Sequence, residues 1–494
     1  MKTKILSKIL VFSVLIFTFF CSSGKRKTYV VVSFDVEDYT TPESEGIDDI
    51  PKWLAEIMTE EEATGTFFVI GEKARSLEKR ERFDVISAMA KHDIGSHINY
   101  GSIHPSVTEQ LEKAGWDEGV AEMFEQESEG FRDLERIFGV PVTALAKHGG
   151  SYGPQLVSAT GKLNAGFVYS PLNLPGKNEV WFCNTLNFYG EYGGFDNTYF
   201  KDELFEPIFD TLKVRFPKPV QESEVITFFV CHPCKVRTKQ FWDFNFYYGA
   251  NPDSGEWKTP EMRSLESMET VKKNFRRLMK YLRSRDDIEL TTFLKVVEIY
   301  SKQKEYVTSK ELNKIALKVL KDKAVIVDDH FSPAEVFAGL IKSINKYKSD
   351  KKLPDRLKRI SPLGPKEIPP VKPEVEKIGI EQVFRLAQKA KDYIEQHGTL
   401  PSFLELDNSR IGTGSLLALF SKIYLDLNSG KPADEYSIPA FDAYPKINEK
   451  IISRRVEGMK SWPVHRRDLD MSRIVEMTLC QLWTLKPAWA DLFE

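Results

Sequence analysis

Between Thr28 and about Tyr300 the chain alternates two kinds of hydrophobic pattern. TYVVVSFDV (Thr28–Val36), TFFVIG (Thr66–Gly71) and EVITFFVCHP (Glu224–Pro233) are apolar runs of strand length, and they predict buried strands. DIGSH (Asp93–His97), VTALAKHGG (Val142–Gly150), AGFVYSPL (Ala165–Leu172) and IELTTF (Ile288–Phe293) are shorter pieces of the same kind. Between them, helical spacing of apolar positions predicts helices over Ile50–Ala63, about Arg82–Lys91, Trp116–Phe138 and Met268–Ser284. Repeated strand–helix units imply a parallel sheet, open or closed.

The last third changes character. It is mainly helical and carries a weak internal repeat, Val307–Tyr347 and Ile378–Leu427, each copy reading helix, short extended link, helix. ISPLGPKEIPPVKP (Ile360–Pro373) separates them and, with five prolines, reads as a semi-extended linker. The chain is therefore expected to divide into a leader (1–24), an α/β domain (27–302), two helical repeats (305–353 and 376–432) around a linker (354–375), and a C-terminal tail without clear signal (433–494).

The leader has an export pattern. Lys2, Lys4 and Lys8 precede the uncharged run Ile9–Phe20, whose 12 residues fall short of the roughly 20 needed to span a bilayer as a helix. Cys21, opening the small, polar stretch CSSGKRK, stands where a lipid anchor would be attached; plain secretion and retention as an anchor are the alternatives. The expected location is periplasmic, membrane-anchored or extracellular. A formal charge of -3 gives no reason to expect nucleic acid as partner. Five cysteines make no disulfide scaffold, and Cys231 and Cys234 in CHPC read as two strand-end residues, bridged after export at most.

Candidate chemistry gathers at strand ends, where sites of parallel α/β sheets sit. SFDVEDY puts Asp35, Glu37 and Asp38 within four residues, and a cation would relieve their mutual repulsion. GSHINYGSIHP supplies His97 and His104, and two imidazoles with one carboxylate make a divalent-metal site. Lys147 and His148 precede a Gly-rich turn, and His232 closes the ITFFV run. The aromatic-rich segments Gly194–Gln221 and Lys235–Trp257 are expected either to wall a substrate groove or to be packed loops.

The order of SFDVED, ATGTFFVIGEKA, HDIGSHINYGSIHPSVT and FFVCHP over about Tyr29–Tyr300 resembles the polysaccharide deacetylase (NodB-homology) family. That resemblance implies a deformed (β/α) barrel of about seven strands, followed here by a smaller helical module. It implies an enzyme that removes acetyl groups from a carbohydrate polymer of a cell wall or exopolysaccharide with a divalent metal, most simply Zn2+. Carried over, Asp35 is the base, His232 the general acid, and Glu37 or Asp38 joins His97 and His104 on the metal. Lys147 stands where the family has an arginine that orients the base. The pattern departs from the family in its stretched acid motif, in a His spacing of seven rather than four, in Lys147 itself, and in KHGG where Arg-x-Pro is usual. Those departures keep two other readings open: a catalytically degenerate glycan-binding protein, and a metal-free hydrolase of a non-sugar amide. The C-terminal repeats resemble pseudomurein-binding repeats, most clearly in HGTLPSFLEL and IGTGSLLALFSKI, which implies attachment to a cell-wall polymer.

Overall fold

The computed structural model describes residues 28–190, 192–215 and 225–490. The expected export signal and Cys21 lie outside them. Among the described residues no helix is long and apolar enough to cross a membrane.

The central strand β1 (Thr28–Val36) is buried along almost its whole length. β2 (Thr66–Val69), β3 (Asp93–Ser96), β4 (Ala144–Ala146) and β5 (Gly166–Ser170) follow it in parallel, each after a helical crossover. A hairpin, β6 (Glu179–Phe182) and β7 (Thr185–Tyr189), extends that side. On the other side of β1 lie β8 (Tyr192–Gly193) and β9 (Val225–Cys231). β10 (Ile288–Thr291) pairs with Thr28–Val31, while β2 pairs with Ser33–Val36, so β1 splits one of its edges between two neighbours. This is a deformed (β/α) barrel whose described hydrogen-bond ladder has two ends. It holds 11 strands rather than about seven, because the hairpin and short edge pieces join the sheet.

Strand alternation sorts the side chains into two layers. Val30, Val32, Phe34 and Val36 of β1 join Phe67 and Val69 of β2 in the core under the surrounding helices. Val31, Phe68, Ala144, Ala146, Val168 and Tyr169 make the inner cluster. This parity decides which residues beyond each strand end turn into the barrel mouth.

The repeats have a shared plan. In the first, strand Tyr306–Thr308, helices Ser309–Asp322 and Pro333–Asp350, and strand Arg356–Lys358 follow in order, and the two strands pair. In the second, strand Lys377–Gly379, helices Ile380–His397 and Thr413–Asn428, and strand Glu435–Ser437 do the same, with a hairpin Phe403–Gly412 between the helices. Helix Ser309–Asp322 packs on Thr413–Asn428, and Pro333–Asp350 packs on both helices of the second copy. Each copy thus covers the apolar stripe of the other, and they share one core.

The tail is welded to the barrel. Strand Lys486–Pro487 adds antiparallel to β6, and Leu469, Ile474, Met477, Leu482 and Leu485 enter the barrel core. Trp483 enters the core of the repeats. Buried Lys486 donates at 2.8 Å to both carboxylate oxygens of buried Glu335, which also accepts from Arg359 and Ser361. Three parts of the chain therefore meet on one ion pair.

Candidate metal and catalytic site

Asp35 and Glu37 stand two apart on β1 and its extension, with the inner parity of Val31 and Ser33. The register with β9 shifts between Ser33 and Phe34, immediately before Asp35, as at strand bulges that re-aim side chains. His97 follows Gly95 of β3, whose missing Cβ would strike Phe68 of the inner cluster. His148 follows Ala144 and Ala146, both inner residues. His232 has the parity opposite to Cys231, which lies in the outer core. All five residues turn toward one centre.

That centre is the Glu37 carboxylate. Its Oε1 lies 2.9 Å from His97 Nε2, 3.1 Å from His148 Nδ1 and 3.7 Å from His232 Nε2. Its Oε2 accepts from Trp242 Nε1 at 2.8 Å. Burial alone would push the Glu37 carboxyl up; the charges of His148 and His232 outweigh it and hold the group well below the carboxylate range. Burial pushes the His97 imidazole down to about 4, only partly offset by Glu37.

The tautomer of His97 is fixed. Its Nδ1 lies 3.1 Å from Ala146 O, which can only accept, so Nδ1 carries the proton. A neutral ring then aims a bare Nε2 lone pair at Glu37 Oε1. Two acceptors at that separation call for a cation between them. The ligand atoms of Glu37, His97 and His148 all lie within 4.8 Å of one another, as do those of Asp35, Glu37 and His232. Two imidazoles and a carboxylate, one ring anchored from behind by a carbonyl, fit a divalent metal of the zinc type.

Asp35 lies beside this cluster. Its Oδ1 accepts from Tyr169 OH at 3.2 Å, and its Oδ2 stands 3.7 Å from His97 Nε2 and 3.9 Å from His232 Nε2. Tyr169 reaches it from a left-handed backbone position, φ 59°, where β5 slips its register. His232 is backed by Asp196: its Nδ1 donates to Oδ2 at 2.7 Å, and its backbone N–H donates to Oδ1 at 2.8 Å. Burial opposes charge on His232, but Glu37, Asp196 and Asp35 outweigh it and push the ring up to about 10. A carboxylate-backed imidazolium next to a second carboxylate is an acid–base pair.

The structure keeps Asp35, Glu37, His97 and His232 of the expected set together and places three others elsewhere. Asp38 has the opposite parity to Glu37. Its carboxylate accepts from Thr40 and Thr41, and Lys73 bonds its carbonyl at 2.5 Å. Lys147, out of phase with His148, donates its ammonium to Gly149 O. His104 has both ring nitrogens engaged, Nδ1 by Glu109 at 2.7 Å and Nε2 by Phe246 O at 2.9 Å. Glu109 and the Phe246 carbonyl raise the pKa of this ring, unlike that of His97, and with both nitrogens donating it offers no lone pair to a metal. His148 takes the place expected for His104. The aromatic segment supplies Trp242 and also Phe241, whose ring lies 4.9 Å from that of His232; the other segment supplies Asp196. The thiols of Cys231 and Cys234 are free, because they point into different apolar clusters.

His104→Ala is expected to retain the metal and lose stability, about 3 kcal/mol, the usual cost of breaking a buried ion pair. Burial disfavours the charged ring, but Glu109 and the Phe246 carbonyl raise its pKa, while Glu109 is held down at about 2. The raised histidine contributes fully below its unfolded pKa of about 6.5 and fades as pH rises through its folded value. The carboxylate contributes above its unfolded pKa and fades as pH falls toward 2. Thermal unfolding of the two forms should therefore differ most near pH 5–6 and converge in alkaline solution.

No family model and no curated protein matches the chain. Among solved structures it is similar to Puue allantoinase (12% identity, 56% of this chain and 91% of that one, TM-score 0.37). It is also similar to the peptidoglycan deacetylase PdaC from Bacillus subtilis (12%, 59% and 97%, 0.29). A third is a CE4-family pseudoenzyme from Bacillus anthracis (12%, 55% and 66%, 0.31). At these scores the chemistry rests on the side chains described above.

Proposed function

We propose that the chain is a metal-dependent hydrolase that removes acetyl groups from a carbohydrate polymer. The observation that carries this reading is the convergence of His97 and His148 on the Glu37 carboxylate, with Asp35 and His232 on its flank. Glu37, His97 and His148 would hold the cation, and zinc suits two imidazoles and one carboxylate. Bound there, it would supply Lewis acidity to an acetyl carbonyl and acidify a water.

The chain's own groups then divide the proton traffic. Asp35, steadied by Tyr169, takes a proton from the attacking water as its oxygen adds to the carbonyl carbon. His232, held by Asp196, gives a proton to the departing nitrogen as the C–N bond breaks. The products are acetate and a free amine; for an ester, the departing atom is oxygen. A catalytically idle binding platform would be expected to lack the acid or the base, and both stand at the cluster. Phe241, Tyr247 and the exposed Tyr248 offer aromatic faces of the kind that stack on sugar rings. The export signal and the repeats suit a polymer outside the cytoplasm.

The test is release of acetate from N-acetylglucosamine oligomers and other acetylated glycans. The zinc-loaded protein should liberate acetate and free amine in equal amounts, lose that activity to a chelator and regain it with zinc. A zinc-loaded chain that releases no acetate from any acetylated glycan would overturn the reading.

A further inference from the structure

His148 is the least supported of the clustered residues by its own strand. It lies two residues beyond the strand, in the loop 147–153, which contains Gly149 at φ 49° and Gly150. A residue on such a loop needs external contacts to hold its ring. Its Nε2 meets Ser102 Oγ at 3.0 Å, and its remaining flank meets the C-terminal tail.

We propose that the tail segment Trp462–Arg466 belongs to the active centre, with Trp462 as the positioning residue that sets the ring of His148 and thereby the affinity for the divalent cation. This rests on the metal reading given above. The indole stands edge-on to the His148 ring, centroids 5.1 Å apart and planes at 86°. It also lies against the loop backbone: a Cβ on Gly149 would come within 2.3 Å of the Trp462 ring. A Cβ on Gly150 would come within 2.6 Å of Met459 O and 2.8 Å of His465 Nε2. The two glycines after His148 are therefore the space the tail occupies.

The same segment pins the neighbouring loops. His465 Nε2 lies 3.3 Å from Gly150 O, and its Nδ1 lies 3.1 Å from Ser106 Oγ. The Arg466 backbone N–H donates to Glu109 at 2.8 Å, and its guanidinium to Glu112 at 2.6 Å. Pro463 O and Val464 O accept from Tyr248 and Gly249 of the aromatic segment. Val464 is fully buried against Trp242, the donor to Glu37. The loops after β3 and β4 and the aromatic segment are thus locked to one strap that begins more than 300 positions after His148. Groups that orient a metal ligand from behind typically change metal affinity 10–100-fold when removed.

The experiment measures zinc dissociation constants by competition with a chromophoric chelator, and visible spectra of the Co2+-loaded chain. It compares wild type with Trp462→Ala, Trp462→Leu and Trp462→Phe. Leucine keeps apolar bulk for the strap while removing the ring, so it decides the matter if the alanine variant does not fold. Zinc affinity is expected to fall about 10-fold or more in both, with a shifted cobalt spectrum, and phenylalanine should restore most of each. Wild-type affinity and spectrum in folded Trp462→Leu would overturn this inference alone. A wild-type chain that binds no cation would overturn the metal reading, and this inference with it.

Discussion

On the metal reading, Glu37→Gln and His148→Ala are each expected to lose the cation and with it any acetyl hydrolysis. Glu37 is the group on which the cluster is built: one oxygen faces three imidazoles and the other is held by Trp242. Glutamine keeps the shape but removes the charge that offsets the cation. His148→Ala removes one of two nitrogen donors and empties the contact with Trp462. Removal of groups that merely support a ligand costs 10–100-fold in affinity, so loss of a ligand itself should exceed about 100-fold. Equilibrium dialysis against zinc, followed by acetate assay, measures both effects. Asp38→Asn serves as the comparison. It should keep the metal, because its carboxylate is spent on Thr40 and Thr41.

Asp35→Asn is expected to keep the metal and lose turnover. Its carboxylate is within reach of the cluster yet held by Tyr169, which suits a base better than a ligand. An amide of the same shape cannot accept the water's proton. General-base catalysis contributes about 10²–10⁴, so kcat should fall by that factor. KM should change little, because the lost interaction belongs to the transition state. His232→Ala should behave alike in kcat and still hold zinc through Glu37, His97 and His148. Loss of metal in Asp35→Asn would instead make Asp35 a ligand.

The strands that bear the site were legible because they are continuous apolar runs. The choice of residues at their ends was equally open to reading. A two-residue period from Val31 picks Glu37 over Asp38, and from Ala144 it picks His148 over Lys147. Assigning the second histidine by motif order led instead to His104, whose pairing with Glu109 depends on a fold contact five residues along and on Phe246 far beyond. Tyr169 and Asp196 reach the site through a register slip and a loop, and neither has a periodic signature. The β6–β7 hairpin escaped notice because its turn, Cys183–Asn184, takes positive φ at both residues without glycine. The tail could not be read at all: Trp462 and His465 act through contacts more than 300 residues distant in sequence.

The central claim is that Glu37, His97 and His148 form the metal centre. Its most direct test is elemental analysis of zinc-loaded, exhaustively dialysed wild type beside His148→Ala and His104→Ala. The geometry predicts one equivalent of zinc in wild type and His104→Ala and none in His148→Ala. Zinc that stays with His148→Ala and leaves with His104→Ala would contradict it.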